Sequence, residues 1–404
     1  MWLDTGVGVT TAVPAGTSTS KYEALELRDG DESRHLGKGV LKAVDNVNTK
    51  IASKVIGMDP VAQGDIDKVL IELDGTENKK NLGANAILAV SQAACKAGAA
   101  AYNIPLYQYI FTKYRLKPDI RVPTPVFNLI NGGKHGAGNL DFQEFHLIPS
   151  SRFPYHQALL MGVEIYHMVE QVLINNNAIH SVGAEGGFAP NLFTNVDALE
   201  AILEATRMTN FNFGHDVFLG LDVAASNFYS NGKYTIKDRS QAFSSKEFMA
   251  YYVDLNERYH LFSLEDPLDE DDWDEWAELT AQLGGKTMVV GDDLLSTNKE
   301  KVAKAIKHNS CTAILVKPNQ IGTITETVEV ISQSLAAKWS VIASHRSGET
   351  TDSFIADFAV GVGADYAKFG APARGERVVK YNRLLQIASE LSTTQVAGPD
   401  KPNA

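Results

Sequence analysis

Cys311-Thr312-Ala313-Ile314-Leu315-Val316-Lys317-Pro318-Asn319-Gln320-Ile321-Gly322 is the stretch from which the fold can be read. The short apolar run Ala313 to Val316 predicts a buried strand. It delivers Lys317 where the chain turns polar at Pro318-Asn319-Gln320. An ammonium at the end of a buried strand is costly unless an anion sits near it. Alone, such a lysine would simply leave the core for water. Four other apolar runs end in the same manner. Val217 to Leu221 ends at Asp222, and Leu261 to Leu264 ends at Glu265 and Asp266. Thr287 to Val290 leads through Gly291 to Asp292 and Asp293. Val341 to Ala343 leads through Ser344 to His345, Arg346 and Ser347. The expectation is that the fold brings these strand ends together around Lys317.

Working outward, the pattern from Val126 onward is strand, loop and helix, repeated. Candidate strands are 125–130, 142–148, 180–184, 217–222, 261–265, 287–291, 312–317, 341–344 and 366–369. Candidate helices between them include 155–175, 197–208, 245–259, 298–307, 323–336, 352–360 and 376–391. Such alternation predicts a barrel of parallel strands ringed by helices, with its working face at the C-terminal strand ends. Before it, 37–57, 60–73 and the alanine-rich 83–102 have helical spacing. Residues 1–20 read as a piece of hairpin followed by a loop, 23–30 as a charged turn, and 105–125, with four prolines, as the passage to the next domain. The tail after Leu391 is polar and expected to fray.

A length of 404 residues suits a small domain and a larger one. Apolar content of 44% and charged content of 21% fit a soluble globular chain. The net charge of −12 argues against a general nucleic-acid binder, which needs clustered Lys and Arg. It leaves room for a locally positive pocket that takes a small anion. Cys95 and Cys311 lie in apolar surroundings and read as reduced core residues, consistent with a cytoplasmic protein. No stretch reads as a membrane span or a signal peptide.

The strand ends carry the chemistry. Asp222, Glu265 and Asp292 would repel one another unless a cation neutralises them, and oxygen ligands without Cys or His favour Mg²⁺ over zinc. Glu185, in Val182-Gly183-Ala184-Glu185-Gly186-Gly187, is a candidate general acid if its surroundings raise its pKa. Of Gln143 and Glu144, strand alternation points one to the barrel interior and the other away. Asn131 to His135 is a glycine-rich loop after the first barrel strand. His345, Arg346, Ser347 and Lys368 offer donors for a phosphate or carboxylate. Together these suit removal of a weakly acidic proton beside a carboxylate by Lys317, with nearby cations lowering the lysine pKa.

The chain resembles the enolase family. The resemblance rests on YEALELRDG (22–30), LDGTENKKNLGANAILAVS (73–91), NGGKH (131–135), DFQEF (141–145), EGGFAPN (185–191), LEDP (264–267), GDDL (291–294), LVKPNQIGT (315–323), SHRSGET (344–350) and GAPARGER (370–377). These stretches keep the family's order from about Pro14 to about Leu391. A lysine base with Mg²⁺ on an ene-diolate is the known pattern of the enolase superfamily. The resemblance implies an α/β fold, a modified (β/α)8 barrel (121–404) preceded by a small α+β domain (1–120). It implies a glycolytic lyase, phosphopyruvate hydratase, which interconverts 2-phosphoglycerate and phosphoenolpyruvate with Mg²⁺. It makes Lys317 the base that takes the C2 proton and Glu185 the acid that assists departure of the C3 hydroxyl. Asp222, Glu265 and Asp292 become Mg²⁺ ligands. His135, Gln143, His345, Arg346, Ser347 and Lys368 become substrate contacts, with Glu144 supporting the acid. A homodimer or larger homo-oligomer in the cytoplasm is implied as well.

This sequence departs from the family pattern in places. The family's opening strand, with its Ser-Arg-Gly-Asn-Pro-Thr motif, has no counterpart in these residues. The loop usually written Pro-Ser-Gly-Ala-Ser-Thr-Gly here runs from Pro14 to Ser20, with Ala15 in place of a serine associated with a second Mg²⁺ and Ser18 retained. Ala184 stands where an aspartate usually precedes the acid, and Pro318 follows the base where valine is common. These departures motivate an alternative expectation: an enolase-like binding or structural protein with little turnover.

Overall fold

The structure is a computed structural model that describes residues 1–17, 20–136 and 140–396. Ser18 and the last eight positions of the tail lie outside the described residues. The larger part is a closed eight-stranded barrel. Its strands are β1 (Thr124–Asn131), β2 (Glu144–Pro149), β3 (Val217–Asp222), β6 (Ser263–Glu265), β7 (Met288–Gly291), β8 (Ala313–Val316), β9 (Ser340–Ser344) and β10 (Tyr366–Lys368). A side hairpin, β4 (Tyr229–Ser230) and β5 (Lys233–Tyr234), stands apart from it. The barrel closes in the order β1-β10-β9-β8-β7-β6-β3-β2.

The expectation of an all-parallel barrel needs correction at one strand. β2 runs antiparallel to both β1 and β3, while the other neighbours are parallel. Parallel neighbours need a crossover, usually a helix. Among the described residues between β1 and β2 the one helical element is the single turn Gly133–His135, and the short connection returns the chain antiparallel. Two successive helices, Tyr155–Asn175 and Asn195–Arg207, then lead to β3. The candidate strand 180–184 is also corrected. Val182 forms only an isolated bridge to Phe188, around a turn in which Gly186 has φ +86°. That backbone conformation favours glycine and breaks a strand.

The barrel strands form because their residues are apolar on both faces, as expected when helices cover one face and the barrel core the other. All four residues of β8 are buried. Several surrounding helices start at side-chain caps. Thr194 and Asp197 form a reciprocal capping box, as do Ser244 and Glu247. The helix Trp273–Leu283 lies beyond the sequence expectation.

The small domain is mostly helical. Leu41–Asn46, a π-turn at Val47–Ile51 and Ala52–Val55 join Gln63–Asp74 and Ala84–Ala101 around Ile51, Ile66, Leu70, Ile87 and Ala94. The hairpin expected near the start is an antiparallel bridge between Trp2 and Gly8. The proline-bearing passage 105–125 contains a helix, Leu106–Tyr114, with Pro105 at its N-cap. Proline before a first helical turn costs no hydrogen bond, so here it starts a helix. Ion pairs join the two parts: Lys79 lies 3.0 Å from Glu326, and Lys96 lies 2.8 Å from Asp352.

Candidate active site

The candidate residues converge at the barrel mouth formed by the C-terminal ends of the parallel strands, where the antiparallel β2 contributes its N-terminal end. His135, Gln143, Glu144, Glu185, Asp222, Lys317, His345, Arg346, Ser347 and Lys368 line one cavity of about 20 Å³. Glu265 and Asp292 border it through ion pairs to two of these lysines. β3, β6 and β7 present Asp222, Glu265 and, one residue past its end, Asp292. β8 ends just before Lys317, and β10 ends on Lys368.

Two ammonium groups balance the carboxylates. The Lys368 Nζ donates to both Glu265 oxygens at 2.9 Å and to Asp222 Oδ2 at 3.2 Å, and lies 3.0 Å from Glu144 Oε2. Lys317 pairs with Asp292 Oδ2. Gln143 and Gln320 donate amides to Asp222 Oδ2 (3.2 Å) and Asp292 Oδ1 (3.1 Å). Burial pushes the Glu265 carboxyl well above the usual range, the Asp222 charge adds to this, and Lys368 opposes it. Crowded, like-charged oxygen donors of this kind fit a hard divalent cation. Of the expected trio, Asp222 and Glu265 share Lys368, and Asp292 pairs with Lys317. Ligand atoms of Asp266, Asp292 and Asp293 lie within 4.8 Å of one another, as do those of His135, Glu144 and Glu185.

Nearby cations are expected to lower the Lys317 pKa; the protein's own side chains shift it the other way on balance. Burial lowers its pKa, but Asp292 outweighs burial and the net shift is upward. Glu185 also moves against expectation. Burial and the Glu144 charge push it up, yet His345 and His135 pull it down to about 2. His345 Nε2 lies 3.4 Å from Glu185 Oε2, His135 Nδ1 lies 3.7 Å from Glu185 Oε1, and Asn128 donates to Glu185 at 3.1 Å. Both shifts favour the charged forms, a protonated Lys317 and an ionised Glu185.

Gln143 and Glu144 do not split between interior and exterior. Both side chains are buried and line the cavity. Gln143 precedes β2, and the β1–β2 register shifts between Asn128 and Ile130, so strict alternation does not apply there. Glu144 is held by His135 Nδ1 at 3.1 Å and His146 Nε2 at 2.8 Å.

Three important partners were not foreseen from the sequence. Glu23, from the small domain, grips Arg346 in a bidentate pair at 3.0 and 3.1 Å. Arg377, fully buried, donates to Arg346 O and His345 Nδ1 at 2.6 Å, to Ser347 O at 2.7 Å and to Ala184 O at 3.1 Å. Asp266 accepts the amides of Asp292 and Asp293 at 3.0 and 2.8 Å, fixing the turn after β7. Glu23 and Arg377 do stand inside the stretches YEALELRDG and GAPARGER. The loop from the small domain closes on Ser347: Thr17 donates its amide to Ser347 Oγ at 2.9 Å, and Ala15 bridges Gly348.

Comparison with protein families gives two matches. A model described as the enolase N-terminal domain matches residues 1–110. A model described as the enolase C-terminal TIM barrel domain matches residues 119–402.

Proposed function

Because the chain belongs to the enolase family, as the two matches covering nearly all of it show, we propose that it catalyses the reversible Mg²⁺-dependent dehydration of 2-phosphoglycerate to phosphoenolpyruvate. One observation carries the reading: Lys317 and Glu185 line the same cavity, together with the anion donors Arg346, Ser347 and Lys368. In the dehydration direction Lys317 Nζ takes the C2 proton. The C–O bond at C3 breaks, and the hydroxyl leaves as water with a proton from Glu185. In the hydration direction Glu185 takes a proton from the attacking water and Lys317 returns one to C2. The shifts of Lys317 and Glu185 favour a protonated lysine and an ionised carboxylate, the states the hydration direction starts from. Arg346 and Lys368 hold the anionic ends of the substrate, and Ser347 adds a hydroxyl. Asp222, Glu265 and Asp292 would hold the metal, which supplies positive charge against the electrons left on the substrate carboxylate.

Mg²⁺ as the metal, a homodimeric or larger assembly and residence in the cytoplasm belong to the same reading. The free buried thiols of Cys95 and Cys311 fit such a location. No helix among the described residues is long and apolar enough to cross a membrane. The test is turnover of purified protein with and without Mg²⁺. Phosphoenolpyruvate should form only with the metal, and Lys317→Ala should abolish its formation. Equal rates in wild type and variant would overturn the assignment.

A second reading is an enolase-like binding protein with poor turnover. It is favoured by Ala15, a methyl group on the loop that bridges Gly348. Calorimetry of Mg²⁺ and phosphoenolpyruvate beside the turnover assay separates the two. Binding without turnover supports the second reading.

A further inference from the structure

The turn Ser20–Ala24 links the candidate site to a cluster on the outer wall of the barrel. On its inner side, Glu23 grips Arg346 at 3.0 and 3.1 Å, Ser20 Oγ lies 2.6 Å from Ser296 Oγ, and Ala24 donates its amide to Gln320 O at 2.8 Å. The turn also holds itself: Tyr22 N donates to Ser20 Oγ at 3.2 Å, and Ser20 N donates to Glu23 Oε1 at 3.2 Å.

On the outer side, the Lys301 ammonium lies 3.2 Å from the centroid of the Tyr22 ring. It also donates to Leu294 O at 3.2 Å and lies 5.4 Å from the Trp273 ring centroid. Tyr22 Oη donates to Asp271 at 2.8 Å, and Lys21 pairs with the same carboxylate. None of these groups lines the cavity. Tyr22 is thus held by a cation on its face and a carboxylate at its tip, next in sequence to the residue that grips Arg346.

We propose that Lys301 is a positioning residue: by clamping Tyr22 it fixes Glu23, and through Glu23 it orients the Arg346 guanidinium for an anionic substrate. This rests on the proposed function for the identity of the anion, but not for the clamp. A cation over an aromatic face is worth more when partly desolvated, and Lys301 is half-buried. Burial pulls its pKa down to about 8 against Glu270 and Asp271, which raise it, with Lys21 and Lys304 lowering it further. These four charges and Tyr22, itself shifted upward chiefly by burial, are the titratable groups that face it. Loss of the Lys301 proton removes the attraction to the ring, so the clamp weakens as pH rises through about 8.

The test uses Lys301→Met, which keeps the stem and removes the charge, and Lys301→Arg, which keeps the charge. The first readout is hydrogen exchange over residues 20–24, which needs no activity. Exchange should be about two- to tenfold faster in Lys301→Met and restored in Lys301→Arg. In the wild type, protection corrected for intrinsic exchange should fall above about pH 8; in Lys301→Arg it should not. The second readout is the affinity for phosphoenolpyruvate by calorimetry with Mg²⁺. It should weaken in Lys301→Met, with KM rising more than kcat falls. Should Lys301→Met fail to fold, Tyr22→Leu removes the ring from the other side and should speed exchange equally. Wild-type exchange in Lys301→Met, or no rescue by arginine, would overturn the proposal. If the wild type neither binds nor turns over phosphoenolpyruvate, the proposed function fails, and the exchange result still decides the clamp.

Discussion

Lys368 holds its ammonium 2.9 Å from each oxygen of the Glu265 carboxylate, with both groups buried. Asp222 and Glu144 share the same ammonium at 3.2 and 3.0 Å. One cation thus serves three carboxylates at the centre of the barrel mouth.

Lys368→Met should therefore destabilise the chain strongly, because it leaves buried carboxylates without their counter-charge. Breaking a buried pair by removing one partner costs roughly 3–5 kcal/mol. The loss should be smaller in the presence of Mg²⁺, if the metal takes over the neutralising role. Urea unfolding of wild type and variant, each with and without Mg²⁺, measures both effects. A variant as stable as the wild type without metal would contradict this electrostatic account.

Two histidines beside Glu185 should shape the stability profile in opposite senses. Burial lowers His345, Arg377 adds to this, and the net value is about 4. Below its unfolded value of about 6.5 the unfolded chain takes up a proton that the folded chain refuses. Stability from His345 is therefore lost as pH falls from about 6.5 to about 4. For His135 burial also lowers the pKa, but Glu185 and Glu144 outweigh it and hold it at about 9. Its contribution is present below about 6.5 and lost as pH rises to about 9. His345→Gln should flatten the acidic limb between those values and His135→Gln the alkaline one. Denaturant midpoints across pH check this.

Gly162 shows how closely the first barrel strand is covered. A Cβ at this position would collide with the Phe127 ring, which is fully buried in β1. Gly162→Ala should cost about 1–3 kcal/mol by overpacking, despite alanine's better helix propensity. Phe127→Leu in the same background should recover part of the loss. Thermal unfolding of the single and double variants measures the coupling.

The strand ends were legible because a buried parallel strand is an apolar run, and the first charged residue after it marks the barrel mouth. Asp222, Glu265, Asp292, Lys317 and Lys368 all follow that rule. Strand direction carries no such mark. An apolar run reads the same in either sense, so β2 was taken as parallel. The run 180–184 failed because the chain turns back at Gly186, so that Val182 meets Phe188 in an isolated bridge, where the apolar count alone suggested a strand. Leu106–Tyr114 was hidden by a proline that begins the helix instead of breaking it. Glu23 lies in a turn and Arg377 near the start of a helix, Gly375–Val396. Their roles depend on contacts with residues that are remote in sequence, and no local pattern announces them. The directions in which side chains shift Lys317 and Glu185 are hidden for the same reason, since each sign depends on which charged neighbour lies closest.

Arg377 offers the sharpest test of these remote contacts. It is fully buried and spends its donors on His345 Nδ1 and on the carbonyls of Ala184, Arg346 and Ser347. It thereby ties the segment after β9 to the residue preceding Glu185. Lysine has one nitrogen and cannot reproduce the planar fork. Arg377→Lys should lose several of these bonds, at about 1–3 kcal/mol for each buried partner left unsatisfied. The donation to His345 Nδ1 keeps that nitrogen an acceptor, so the ring proton lies on Nε2, facing Glu185. The Arg377 charge also helps to hold His345 down at about 4. Arg377→Met should let the His345 pKa rise, which a ring-proton NMR titration reads directly. Turnover should fall in both variants, since the His345–Ser347 segment and Glu185 lose a shared anchor. An unchanged His345 titration in Arg377→Met would show that burial alone sets its pKa.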